Sequence, residues 1–278
     1  MAKRRDDKLN GPLYDAAGKQ RIQFTPYLPS DDLKFFVERY WTIRWDLRGQ
    51  PPYCTEHLPD PSIHLVIEED ISGIFGPARG KFSRLVEGQG SAFCIKFRPG
   101  AFYPFVTSPV SPFKNKMVNL CDVFGAAGNA LETVIRATGD EEERIEIAEN
   151  FLRSRRPKRD DSVALIHQII ERIVADREST KTYDLENQCN LTNRTLQRLF
   201  SRYVGVSPSW VIRRYRLHDA VDQLDQGEIV AWPALAVDLG YFDQAHFIKD
   251  FKEMIGVSPG NYVRRVSQRE SSETALME

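Results

Sequence analysis

Apolar and polar residues alternate along several short stretches in the first half of the chain. In Tyr40–Leu47, Trp41, Ile43, Trp45 and Leu47 fall on one face of an extended segment, and Tyr40, Thr42, Arg44 and Asp46 on the other. The same period of two runs through Ile63, Leu65 and Ile67, and through Phe93, Ile95 and Phe97. Turns rich in Pro and Gly separate these stretches, among them Pro51-Pro52, Gly76-Pro77 and Gly88-Gln89-Gly90. Short strands so spaced predict a mostly β barrel or sandwich. Beyond residue 118 the period becomes helical, first through Ala130, Leu131, Val134 and Ile135, then through Ile145, Ala148, Phe151 and Leu152.

A basic, proline-containing stretch, Arg153-Ser154-Arg155-Arg156-Pro157-Lys158-Arg159, reads as an interdomain linker over 153–160. It divides a first domain, 1–152, from a helical one, 161–266, with 267–278 expected as a disordered tail. In the second part, Val163, Ile166, Ile169, Ile170, Ile173 and Val174 form one apolar helix face.

This helical part repeats itself at an offset of 51 residues: Gly205-Val206-Ser207-Pro208 returns as Gly256-Val257-Ser258-Pro259, and Arg213-Arg214 as Arg264-Arg265. Phe200 then falls on Phe251 and Leu196 on Phe247, which indicates two copies of one helix–turn–helix unit. In the first copy Thr192 is a fitting N-cap. Leu196, Leu199, Phe200 and Tyr203 make the buried stripe, and Arg194, Gln197, Arg198 and Ser201 the opposite face. Guanidinium and amide groups suit bidentate hydrogen bonding to guanine and adenine edges in a major groove. In the second copy Asp243 stands at the cap and Phe247, Phe251 and Met254 in the stripe. Ala245, Ile248, Lys249 and Lys252 are expected to be exposed. Pro233 fits the first turn of the helix before it, and Gly240 the turn between.

Composition adds limits. A chain of 278 residues, 41% hydrophobic and 28% charged, is ordinary globular protein of about two domains. No apolar run approaches the roughly 20 residues of a membrane-spanning helix. The opening MAKRRDDKLNGPL lacks the apolar core of a secretory signal, so the cytoplasm is the expected compartment. Cys54, Cys94, Cys121 and Cys189 are too scattered for a metal or disulfide framework and are expected to be buried free thiols. The net charge of −1 conceals a tract, Asn187 to His218, with no acidic residue and with Arg194, Arg198, Arg202, Arg213, Arg214 and Arg216. Such a tract reads as a phosphate-binding footprint. Residues 161–278 nevertheless hold 14 Lys and Arg against 17 Asp and Glu, a net of −3.

The stretch from Leu191 to Pro208, with Leu191-Thr192-Asn193-Arg194-Thr195-Leu196-Gln197-Arg198-Leu199-Phe200, closely resembles the AraC/XylS family of bacterial transcription regulators. So does Leu239-Gly240-Tyr241-Phe242-Asp243-Gln244-Ala245-His246-Phe247 with Gly256-Val257-Ser258-Pro259 and Tyr262. The resemblance implies two helix-turn-helix units joined by a long helix, near Tyr215–Gln226, reading successive major grooves of double-stranded DNA. By position, base contacts fall on Asn193, Arg194, Gln197 and Arg198, and on Gln244, Ala245, His246, Ile248 and Lys249. Phosphate contacts are assigned to Thr192, Arg202, Arg213, Arg214, Lys252, Arg264 and Arg265. Two residues depart from the family pattern: Glu186 where a small Ala usually packs, expected to loosen the first unit, and Asn190 where Gly is usual in the turn.

The first half resembles the N-terminal domains of some members through Lys96–Phe105 and the Tyr40-Trp41 strand. This implies a cupin-like, effector-binding barrel with trailing helices for a homodimer, and RNA polymerase as a further partner. Trp41, Trp45, Phe93, Phe97, Phe102 and Tyr103 are the candidate pocket residues for a small-molecule effector. Glu56, His57 and His64 are the nearby groups that suggest a metal, but the His-x-His strand pair of metal-binding cupins is absent. No cofactor is called for, and no nucleophile–base constellation marks an enzyme. The alternatives are a cupin-like enzyme with a helical targeting module, and a DNA-binding protein without an effector.

Overall fold

The computed structural model describes residues 21–155, 157–175, 182–225 and 231–264. Alternating stretches become strands β1 (Ile22–Tyr27), β2 (Val37–Asp46), β3 (Tyr53–His57), β4 (His64–Glu68), β5 (Gly73–Phe75), β6 (Phe82–Val86), β7 (Gln89–Phe97) and β8 (Met117–Val118). Six pair antiparallel in the order β1-β2-β7-β4-β5-β8, while β3 and β6 form a separate ribbon. The register sets Trp41 opposite Cys94 and Thr42 opposite Phe93, so these pairs face opposite sides of the sheet. The expected barrel or sandwich is thus a six-stranded sheet with a two-stranded ribbon across one of its faces.

The other face is covered by helices. After two short ones, α1 (Tyr103–Val106) and α2 (Leu120–Phe124), come α3 (Ala126–Ala137) and α4 (Glu141–Ser154). Leu131 and Ile135 of α3, with Ala148 and Leu152 of α4, pack onto Tyr40, Leu65, Ile67, Phe93, Ile95 and Phe97. Val134, expected in that stripe, is largely exposed. Helix α4 runs into the basic stretch as far as Ser154, and the exposed Arg153 is tied back to the first domain. It pairs with Asp32 at 2.8 Å and with Glu149 at 2.9 Å.

Among the described residues of the C-terminal part the regular elements are helices: α5 (Asp161–Ala175), α6 (Thr182–Cys189), α7 (Asn193–Tyr203), α8 (Pro208–Asp225), α9 (Trp232–Asp238) and α10 (Gln244–Ile255). The long joining helix begins at Pro208, earlier than expected, and Gln226 lies outside the described residues. So do residues 1–20, Arg265 and the tail 267–278. Both predicted caps form. The Thr192 hydroxyl accepts the Thr195 N–H at 3.3 Å, and the Asp243 carboxylate accepts the His246 N–H at 2.8 Å. Asn190 sits at φ 52°, in the left-handed region that Asn tolerates better than most residues. Of the four thiols, all free, Cys94 is the buried one, while Cys54 and Cys121 are exposed.

The two parts interlock. Leu58, from the first, belongs to the apolar core of the second, and Val163, from α5, belongs to the core of the first. The Val110 N–H donates to the Arg202 carbonyl at 2.7 Å. The deepest link is ionic. Arg214, in the middle of α8 and 1% exposed, donates through Nε to the Pro59 carbonyl at 2.9 Å. It donates through Nη2 to Asp60 Oδ2 at 3.1 Å. The buried Lys96 ammonium reaches the same oxygen at 3.0 Å and Glu38 at 3.2 Å. Burial by itself would raise the Asp60 pKa, but Lys96, Arg214 and His64 overcome it and hold the carboxyl well below the ordinary range.

Replacing Asp60 with Ala should therefore destabilise the folded chain by about 3–5 kcal/mol, because it leaves two buried cations without their shared partner. Urea unfolding measures this. A depressed folded pKa means the Asp60 contribution is full above the unfolded value of 3.8 and is lost as pH falls from there toward the folded value. Wild type should lose stability in that acid range and the Asp60→Ala variant correspondingly less. At Asn190, Ala should cost about 1 kcal/mol in the same assay, while Gly, free in the left-handed region, should be near neutral.

Candidate nucleic-acid interface and barrel cavity

The first unit presents its exposed residues from the N-terminal turns of α7. Thr192, Asn193, Arg194 and Arg198 are exposed and Gln197 is half-buried, while Leu196 and Phe200 point into the core. Arg194 and Arg198 are one helical turn apart, so their guanidiniums share a face. Asn193 is held: its Nδ2 donates to Glu186 Oε1 at 2.6 Å. Glu186 therefore ties α6 to the first turn of α7, where the family comparison suggested that it would loosen the unit.

In the second unit Ala245, His246, Lys249 and Lys252 are exposed on α10, and Gln244 is half-buried. Phe247, Phe251 and Met254 are buried as predicted. Ile248 is not freely exposed; it is half-buried against the helical core. His246 lies along its own helix, its ring 5.2 Å from that of Tyr241 and its Nε2 3.7 Å from Asp250. Arg264 is exposed and donates to Asn261 Oδ1 at 2.6 Å.

The arginine tract is less available than its sequence suggests. Arg214 is buried in the Asp60 cluster, so in this arrangement it offers nothing to a phosphate. Arg216 is buried too, donating to the Ile173 carbonyl at 3.3 Å and pairing with Asp219 at 3.4 Å. Arg202 donates through Nε to the Tyr103 hydroxyl at 3.0 Å and lies 5.1 Å from the centre of that ring. Arg213 pairs with Asp250 at 3.1 Å, joining α8 to α10. Of the tract, Arg194, Arg198 and Arg202 are exposed on α7, the last with its guanidinium on the Tyr103 hydroxyl.

The pocket residues also divide. A cavity of about 190 Å³ lies between the sheet and the β3–β6 ribbon, and Trp41 and Trp45 line it. Phe93, Phe97 and Phe102 do not. Phe93 and Phe97 occupy alternate positions of β7 and so face the helices, where Phe97 and Phe102 pack edge to face at 5.0 Å. Tyr103 sits beneath α7, with its ring 4.2 Å from that of Tyr203. Residues without an aromatic signal complete the cavity: Val66, Glu68, Arg84, Ala92 and Cys94 among them. The strand parity of Trp41 would have pointed to them, since Cys94 and Ala92 share its face. His57 and His64 line the same space, and burial, then the neighbouring His64, lowers the His57 pKa to about 4. Glu56 instead pairs with Lys81. Among the described residues no three His, Cys, Asp or Glu side chains are grouped to hold a metal ion.

Residues 185–265 match the family described as a helix-turn-helix domain, and residues 25–119 the family described as domain of unknown function DUF6597. An uncharacterized HTH-type transcriptional regulator of Haemophilus influenzae is 36% identical over 70 residues, 25% of this chain and 23% of that protein. The chain thus spans under a quarter of that relative's length. Among solved structures, a probable AraC family transcriptional regulator from Rhodopseudomonas palustris is 26% identical, covering 38% of this chain and 98% of that one, with a TM-score of 0.34. ToxT from Vibrio cholerae is 13% identical over 87% of this chain and 98% of its own, with a TM-score of 0.36. A further ToxT structure holds (E)-4-(8-methylnaphthalen-1-yl)but-3-enoic acid, at 13% identity, 88% and 99% coverage and a TM-score of 0.37. With the family match, the duplicated unit, its two caps and its buried stripes, residues 185–265 are a helix-turn-helix domain.

Proposed function

We propose that the chain is a sequence-specific DNA-binding regulator of transcription whose α7 and α10 read adjacent major grooves, and whose reading responds to a small molecule in the barrel cavity. The observation that carries the reading is the exposed pair Arg194 and Arg198, with the half-buried Gln197 between them, on a capped helix in a unit that the chain then repeats around α10. Arg198 and Arg194 supply bidentate donors for guanine edges, Gln197 a donor and an acceptor for adenine. Lys249 serves the second groove. Thr192, Lys252 and Arg264 are exposed and suit phosphates; Arg214 and Arg202 are left out because they are engaged with the first domain.

The same contacts supply a route for regulation. Asp60 and His64 line the cavity, and Asp60 also holds Arg214 of α8. A ligand that shifts that wall acts on the helix that joins the two units. RNA polymerase and a second copy of the chain belong to this reading as partners, the latter through α3 and α4 on the outside of the sheet.

Selection of binding sites from random DNA tests the proposal. Wild type should recover a motif with two blocks, and Arg198→Ala should lose about 1–3 kcal/mol of preference at one position of one block. An unchanged motif would remove α7 as the reader. Arg264→Ala should weaken binding on all sequences alike and lower the slope of log affinity against log salt by about 1, whereas Arg214→Ala should leave that slope as in wild type. Fluorescence anisotropy at several salt concentrations separates the two.

A further inference from the structure

The cavity wall also limits what can enter, provided the effector reading above holds. We propose that the ligand is an uncharged molecule of single-ring size that donates a hydroxyl or N–H hydrogen bond to Glu68.

Size comes first. An apolar protein cavity of about 150 Å³ accepts benzene, so about 190 Å³ accommodates one ring with a few further atoms. The wall suits a ring. Trp41, Trp45 and Phe75 lie on the sheet side and Phe82 on the ribbon opposite, with Phe75 and Phe82 edge to face at 5.9 Å. The Trp45 indole N–H is already given to the Glu87 carbonyl at 3.1 Å, so Trp45 offers the cavity an apolar surface.

Two buried polar atoms in this wall have no hydrogen-bond partner among the described residues: Glu68 Oε1 and Ser62 Oγ, in residues 4% and 1% exposed. The second Glu68 oxygen receives Arg84. Glu68 and Ser62 stand six residues apart along one chain segment, about 20 Å if extended, so a single ring reaches one of them. A buried carboxylate oxygen left unpaired is the costlier of the two, and a ligand donor directed at it satisfies it.

Charge decides the class. Each carboxylate in the wall already faces a cation: Glu68 faces Arg84, and Asp60 faces Lys96 and Arg214. A charged ligand would bring its charge into a desolvated space with no counter-charge uncommitted among the described residues. A neutral donor meets Glu68 Oε1 without that cost.

The test is a titration of the full chain with four matched rings, phenol, toluene, benzylammonium and benzoate, followed by tryptophan fluorescence and calorimetry. Phenol is expected to bind roughly tenfold more tightly than toluene, the margin of one hydrogen bond to a buried carboxylate, and more tightly than either ion. In Glu68→Gln the margin over toluene should shrink to roughly threefold or less. The wild-type series stands by itself should that variant fail to fold. Equal binding of phenol and toluene would overturn the role of Glu68, and tighter binding of either ion would overturn the neutral class while leaving the cavity as an effector site. Absence of binding by all four overturns the inference. If an Ala92→Phe variant, which fills the cavity, then also keeps wild-type regulation of its DNA site, the effector reading falls with it.

Discussion

Asp60 is the point on which both halves of the molecule depend. It is half-buried where the barrel meets α8, and it satisfies a lysine of β7 and an arginine of the helical domain at once. Apolar contact between two domains is tolerant of sliding, because dispersion has little direction. A carboxylate shared by an ammonium and a guanidinium is not, because each donor must meet its acceptor within a narrow range of distance and angle. The Pro59 carbonyl, taking the Arg214 Nε, fixes the arginine from a second direction. Around this point the sheet, the cavity and the joining helix hold one arrangement.

What was legible in the sequence was mostly local. The caps at Thr192 and Asp243, the left-handed turn at Asn190 and the stripes of α7 and α10 depend on residues within a turn or two of each other. Their periodicity therefore suffices to place them. The roles of Arg214 and Arg202 were not legible, since their partners lie 154 and 99 positions away in the chain. A run of arginines reads the same whether it meets phosphate or a distant carboxylate. Phe93 and Phe97 were misplaced for a different reason. A strand covered on one side by helices and on the other by a cavity wall is apolar on both faces, and alternation alone does not say which face is which.

The negative balance of the helical half acquires a physical sense from these contacts. Asp219 and Asp250 neutralise Arg216 and Arg213 inside the domain. The acidic side chains are partly structural partners of the arginine tract and not a general repulsion toward a polyanion. On the proposed reading, attraction to DNA rests on a short set of cations, Arg194, Arg198, Lys249, Lys252 and Arg264, carried at the exposed ends of the two units. Base recognition then carries a larger share of the total than it does in proteins with long basic arms.

The ion pair between Arg213 and Asp250 extends this point to distance. It braces α8, which leaves the first unit, against α10 of the second. Two heads braced in this way act as a caliper with a fixed gap. On B-form DNA, inserting one base pair between the two blocks turns the second block by about 35° around the duplex axis. A protein with a slack connector follows such a turn, and a caliper does not. On the proposed reading, the spacing of the target is thereby set by a salt bridge inside the protein, as much a part of the recognised message as the bases themselves.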